Sequence, residues 1–96
     1  MTTVRLRPKA KDDLTSIWNY TAETWSVSQA DIYVRQIFNA FEKIASGEAV
    51  PRKTNIREGY FKLAVGQHVI FYKQNGQAAD IIRILHNKID VELHLR

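Results

Sequence analysis

The sequence predicts an α+β fold in the order β-α-α-β-β-β, a helix hairpin packed on a small antiparallel sheet. Three observations predict it. Apolar residues recur at helical spacing from Leu14 to Ala45, with one break at "SVS". The period changes to two from Tyr60 onward. Two dipeptides, Gly66-Gln67 and Asn75-Gly76, then divide that second region into runs of strand length.

The elements follow in order. "TVRLR" (3–7) alternates apolar and charged and reads as a short strand that ends at Arg7-Pro8. Proline suits the first position of a helix, where its missing N–H has no partner to lose. Leu14, Ile17, Trp18, Thr21 and Trp25 then recur on one helical stripe, with Asp12 and Asp13 in the first turn, where the helix dipole favours them. Ser28, with Asp31 three residues on, is the expected N-cap pair of a second helix. That helix buries Ile32 or Tyr33, Val34, Ile37, Phe38, Phe41, Ile44 and Ala45, and Gly47 stops it. Two helices joined so closely make an antiparallel hairpin.

Residues 48–59 read as a basic loop, and strands follow at 60–65, 68–73 and 79–86. If both turns have two residues, Leu63, Ile70 and Ile81 share a face with Phe61, Tyr72 and Ala79. Val65, His68 and Arg83 end that row, and this face receives the hairpin. The opposite face carries Lys62, Phe71 and Asp80, with Tyr60 beside Lys73, and is mixed enough to stay open. The tail from Ile89 to Arg96 alternates again and is expected to add a strand or lie across that open face.

Composition narrows the function. Ninety-six residues make a single domain, 1–96, with an ordinary apolar fraction of 45%. With no cysteine, disulfides and thiolate chemistry are excluded, and three scattered histidines lack the spacing of a metal site, so neither metal nor cofactor is expected. No segment resembles a signal peptide or a membrane span, which makes a cytoplasmic protein the expectation. The net charge of +4 is uneven. Residues 1–51 carry six Lys/Arg and six Asp/Glu, whereas residues 52–96 carry eight and four. The C-terminal half is thus suited to an acidic partner.

Catalysis would need a base held by a partner. His86, at a strand end near Arg83 and Lys88, is the best candidate, and Glu58 is the best carboxylate. An endoribonuclease would use His86 as base, with Arg83 and Lys88 as cations for the transition-state phosphate. A half-exposed strand-end histidine is more often structural. Trp18 and Trp25 fit the helix stripe, which favours packing over base stacking. The strand closes the core through Ile81 and Leu85, and its end, Arg83 to Lys88, reads as an interaction surface.

These residues carry a resemblance. "RPKAKDDLTSIWNYTAETW" resembles the opening of the ParE branch of the RelE/ParE toxin superfamily, through Pro8, Ala10, Asp13, Leu14, Ile17, Trp18 and Tyr20. "REGYFKLAVGQHVIFYK" and "IIRILHNKID" are similar to the family's C-terminal half, through Gly59, Val65-Gly66, His68, Ile70, Phe71, Tyr72, Ile84, Leu85, His86 and Asp90. The chain departs from the family at Phe61, where many members have arginine, and at Arg7, where serine is frequent.

The resemblance implies the toxin of a type II toxin–antitoxin pair. ParE-like toxins are associated with poisoning DNA gyrase, whereas RelE-like relatives cleave mRNA on the ribosome with an Arg/Lys cluster and a C-terminal tyrosine or histidine. This C-terminal segment offers His86, Lys88 and His94 but no tyrosine, which favours the gyrase branch and a protein-binding inhibitor over an enzyme. A ParD-like antitoxin with an acidic C-terminal segment is the implied partner, forming a hetero-oligomer that meets DNA only through the antitoxin. Its acidic residues would meet Arg52, Lys53, Arg57 and Lys62, and its apolar residues would sit beside Trp18 and Trp25. Arg83, His86, Asn87 and Lys88 would face the target. An inactive member, acting only in antitoxin binding and autorepression, is the remaining alternative.

Overall fold

A computed structural model describes residues 3–50, 52–54 and 58–89. Its elements are β1 (Thr3–Leu6), α1 (Pro8–Thr24), α2 (Val27–Ser46), β2 (Arg52–Lys53), β3 (Tyr60–Val65), β4 (His68–Asn75) and β5 (Ala78–His86). Pro8 opens α1, as its missing N–H allows. Gly47, at φ +81, closes α2 in the left-handed conformation. The N-cap of α2 is Ser26 rather than Ser28: its hydroxyl accepts the Gln29 N–H at 3.1 Å. The cap falls two residues earlier because Asp31 is used elsewhere, accepting the Trp18 indole N–H across the hairpin at 2.9 Å.

The five strands form one sheet in the order β1-β5-β4-β3-β2. It is mixed, not wholly antiparallel, because β1 runs parallel to β5. The chain leaves β1, traverses the helix hairpin and three antiparallel strands, and brings its last strand back beside the first. A fifth strand lies inside the predicted loop, where Arg52 and Lys53 pair with Lys62 and Phe61. Two exposed cations give no alternation to read, so backbone pairing alone defines it.

The register of β3 on β4 is the predicted one, with Leu63 opposite Ile70 and Val65 opposite His68. That of β4 on β5 is not. The turn is Gly76-Gln77, so Tyr72 meets Ile81 rather than Ala79. Gly76, at φ +63 in the first turn position, fits a type II′ hairpin. A slip of two residues keeps each side chain on its predicted face. A bulge at Ile82 then adds one residue, so Ile84 faces Ile70 and His86, not Arg83, faces His68.

One sheet face takes the hairpin. Ala10 and Ile17 of α1 and Ile37, Ala40, Phe41 and Ile44 of α2 pack on Ile70, Tyr72, Ala79, Ile81 and Ile84. Ile32 and Phe38, predicted as core, are exposed, because α2 buries Ala30 and Ala40 instead, with Ala40 in the core against the sheet. Small residues there let the helix approach closely. The other sheet face is less open than predicted: Phe71 and Leu85 are buried, beside Tyr60, Val69 and Ile82. The predicted role of the tail concerns residues outside the described range from Asp90 onward.

Candidate binding site at the turn end of the helix hairpin

β1 is only four residues long, so β5 beyond Ile81 has no strand on that side. Helix α1 supplies the missing partner. Asp13 accepts the Ile84 backbone N–H at 2.9 Å, together with the Arg83 Nε–H at 2.8 Å and an Nη2–H at 2.9 Å. The two side chains are 14% and 15% exposed, which makes this a largely buried charge pair. The hydrogen bonds to Asp13 raise the Arg83 pKa against the opposing effect of burial. Asp12 and Asp13 thus lie beyond the first turn of α1, which begins at Pro8 and holds no acidic residue, and Asp13 acts through these contacts rather than through the helix dipole. Its spacing gave a signal: Ala10, Asp13, Leu14 and Ile17 share one helical stripe, and a carboxylate on a buried stripe needs a partner.

Two residues beyond Ile84, where the same strand ends at His86, lies a cluster that sequence reasoning missed. Tyr33 of α2 reaches the β3–β4 turn, where its hydroxyl lies 3.1 Å from the Val65 carbonyl, 3.1 Å from the Gln67 N–H and 2.6 Å from His68 Nδ1. The turn admits the ring because residue 66 is glycine: a Cβ there would stand 2.8 Å from the Tyr33 ring. The His68 and His86 rings meet edge to face at 5.3 Å, as their cross-strand pairing requires. Burial first, then the neighbouring His86, holds the His68 pKa below 6.5, against a smaller opposite effect of Asp13. Burial raises the Tyr33 phenol, while backbone hydrogen bonds at Gln67 and His68 oppose that.

Tyr33, His68 and His86 line a cleft of about 580 Å³, together with Tyr20, Thr21, Trp25, Gln29 and Gln67. Trp25 and Tyr20 stand at 74% and 68% exposure, large values for residues of their size. Trp18, two helical turns before Trp25, is half-buried and fixed by Asp31.

The predicted sites are distributed as follows. Among the four target-facing residues, His86 lines the cleft, Asn87 and Lys88 are exposed beyond the strand end, and Arg83 is engaged by Asp13. The catalytic grouping of His86, Arg83 and Lys88 thus has one of its two cations already neutralised. Glu58 precedes β3 at the opposite end from Val65, far along the sheet from His86. Arg52, Lys53 and Lys62 are exposed at the β2–β3 edge, with Arg52 directly opposite Lys62. Like charges so placed cost stability, and neither ion pair found among the described residues neutralises them. Arg57 lies outside the described residues. Among the described residues no three His, Asp or Glu side chains are grouped to hold a metal ion, and no helix is long and apolar enough to cross a membrane.

Comparison of shape gives the class first. The fold matches that in the chromosomal ParDE toxin–antitoxin system of P. aeruginosa, with a TM-score of 0.78 at 18% identity, over 90% of this chain and 96% of that one. It also matches the RelBE2 toxin–antitoxin complex of Mycobacterium tuberculosis, with a TM-score of 0.59 at 20% identity, over 90% and 98%. At such identities the likeness shows the RelE/ParE-like α+β fold alone. Sequence goes further. The profile of the ParE toxin of type II toxin–antitoxin systems, parDE, matches residues 4–91. Toxin ParE1 of Caulobacter vibrioides is 41% identical over 93 residues, 95% of each chain. Toxin ParE1 of Mycobacterium tuberculosis is 37% identical over 92 residues, 94% of each. The chain belongs to the ParE toxin family of type II toxin–antitoxin systems.

Proposed function

We propose that this toxin acts by binding and inhibiting DNA gyrase, and that a ParD-like antitoxin with an acidic C-terminal segment neutralises it. The observation that carries binding over catalysis is the Arg83–Asp13 pair. A ribonuclease with His86 as base needs nearby cations to meet the transition-state phosphate. Arg83 is committed to Asp13 at 2.8 and 2.9 Å, and moving it would strand a largely buried carboxylate. Among the described residues, Lys88 alone remains beside His86. What the molecule offers instead is surface: exposed Tyr20, Trp25 and Phe38 on the hairpin, and unneutralised Arg52 and Lys62 on the sheet edge. Aromatic anchors with a charged rim suit a protein partner.

The names of the relatives support a paired antitoxin, and gyrase is the target that the ParE resemblance implies. The test is purified toxin, in molar excess, in parallel assays of gyrase supercoiling and of mRNA integrity in a translating extract. Loss of supercoiling with intact mRNA is expected. Cut mRNA with normal supercoiling would replace this reading with the ribonuclease one.

A further inference from the structure

We propose that the cleft at the turn end of the hairpin is a carboxylate pocket, in which an acidic residue of a protein partner is gripped by the Nε2 atoms of His68 and His86 as His68 takes up a proton. This rests on the reading above only in supposing an acidic partner.

The proton positions follow from donor counting. The Tyr33 hydroxyl has one proton to give and two lone pairs. The Val65 carbonyl can only accept, so it receives that proton, and the Gln67 N–H can only donate, so it occupies one lone pair. For the 2.6 Å contact to be a hydrogen bond as well, His68 must carry a proton on Nδ1 and donate it to the tyrosine. In the neutral ring Nε2 is then a bare acceptor. His86 is set the other way: its Nδ1 accepts the Lys88 backbone N–H at 3.2 Å, so its proton sits on Nε2. Neither Nε2 has a hydrogen-bond partner among the described residues, and neither is a buried unsatisfied atom, so both remain open to a ligand. Adding a proton to His68 breaks nothing in the Tyr33 network. It gives the cleft two N–H donors and one positive charge.

Among the described residues the surroundings contain no uncommitted anion to answer that charge. Among the charged and titratable groups near the histidines, α1 contributes Asp13, already bound to Arg83 of β5, and Tyr20. Helix α2 contributes Tyr33, and the segment after β5 contributes Lys88. Every residue lining the cleft is uncharged apart from the two imidazoles, and the whole chain carries +4. An incoming carboxylate supplies the missing counterion, and the exposed Trp25 and Tyr20 can cover the apolar part of its side chain. A metal ion fits less well, because the cleft offers two imidazoles and no carboxylate, and no three His, Asp or Glu side chains are grouped among the described residues.

The probe is 3-phenylpropanoate, with 3-phenylpropanamide as its uncharged control, added to the intact chain. Imidazole resonances are followed by NMR, and proton uptake by calorimetry in buffers of different ionisation enthalpy. The acid should perturb His68 and His86 first and take up to about half a proton at a pH between the free and bound imidazole pKa values. It should bind about fivefold tighter near pH 6 than near pH 8, the change expected if the bound anion raises one imidazole pKa by about one unit. The amide should bind weakly without pH dependence, and His68→Gln should remove the dependence from the acid. Equal binding of acid and amide, a pH-independent affinity, or perturbations centred away from the cleft would each overturn the pocket. None of these results would bear on whether the toxin inhibits gyrase, which the supercoiling assay decides separately.

Discussion

Two side chains carry consequences out of proportion to their size. Asp13 satisfies three donors in a largely buried site, so Asp13→Ala would leave Arg83 and the Ile84 N–H without partners. Removing one member of such a pair costs about 3 kcal/mol, and for a domain of this size that lowers Tm by roughly 12–24 °C. Pairing the change with Arg83→Met should restore part of the loss, because the stranded charge is then gone. Thermal unfolding of the single and double variants checks both, and a double variant no better than the single would argue against charge burial as the cause. His68 gives a pH signature. Its folded pKa lies below 6.5, held there by burial and by His86, so the unfolded chain protonates first as pH falls. Its contribution is therefore complete above 6.5 and declines as pH falls through the window between that value and the lower folded pKa. Urea unfolding of the parent and of His68→Gln should show a smaller pH slope in the variant across that window. Identical slopes would remove His68 as the source.

Among the elements, the two tight hairpins provide an internal comparison. Gly66 and Gly76 sit at φ +55 and +63, so alanine carries a similar backbone penalty at either, about 1–2 kcal/mol. Only Gly66 faces an obstacle, the Tyr33 ring at 2.8 Å, whereas a Cβ at residue 76 meets nothing within 4 Å. Gly66→Ala should therefore be the more destabilising by about 1–3 kcal/mol, the usual cost of overpacking. It should also disturb the Tyr33–His68 contact, visible in the His68 resonances. Equal destabilisation by the two substitutions would mean that the ring moves aside freely. The elements also mark how far the sequence could be read. Both helices and strands β3 to β5 were legible because their periods are clean. The two-residue strand β2 and the bulge at Ile82 were not, since neither changes the alternation of its neighbours in a way that composition reveals.

Across the whole molecule, charge is divided unevenly, with the entire excess in residues 52–96. Arg52 and Lys62 stand opposite each other at a sheet edge, a costly arrangement that an acidic partner would relieve. Arg52→Glu combined with Lys53→Glu should therefore slow association with the proposed antitoxin severalfold at low salt. The effect should shrink near about 0.5 M salt, where the Debye length is roughly 4–5 Å. Stopped-flow association across a salt series measures this. An on-rate unchanged at low salt would assign the basic edge to another partner or to solubility.

The order of elements apart from β2, the helix hairpin, the sheet face that receives it and the family were all readable from this chain. Period, turn glycines and capping chemistry act over a few residues and leave their mark locally. The parallel pairing of β1 with β5, the commitment of Arg83 to Asp13 and the meeting of Tyr33, His68 and His86 were not readable. Each joins residues 18 to 75 positions apart. His86 was visible as a strand-end histidine, but a one-residue shift of the turn, which slips the register by two, and one bulged residue were what set it against His68. Register is a property of the folded sheet, decided by which backbone groups find partners. A single inserted residue there changes who meets whom without changing any residue's preference for a strand.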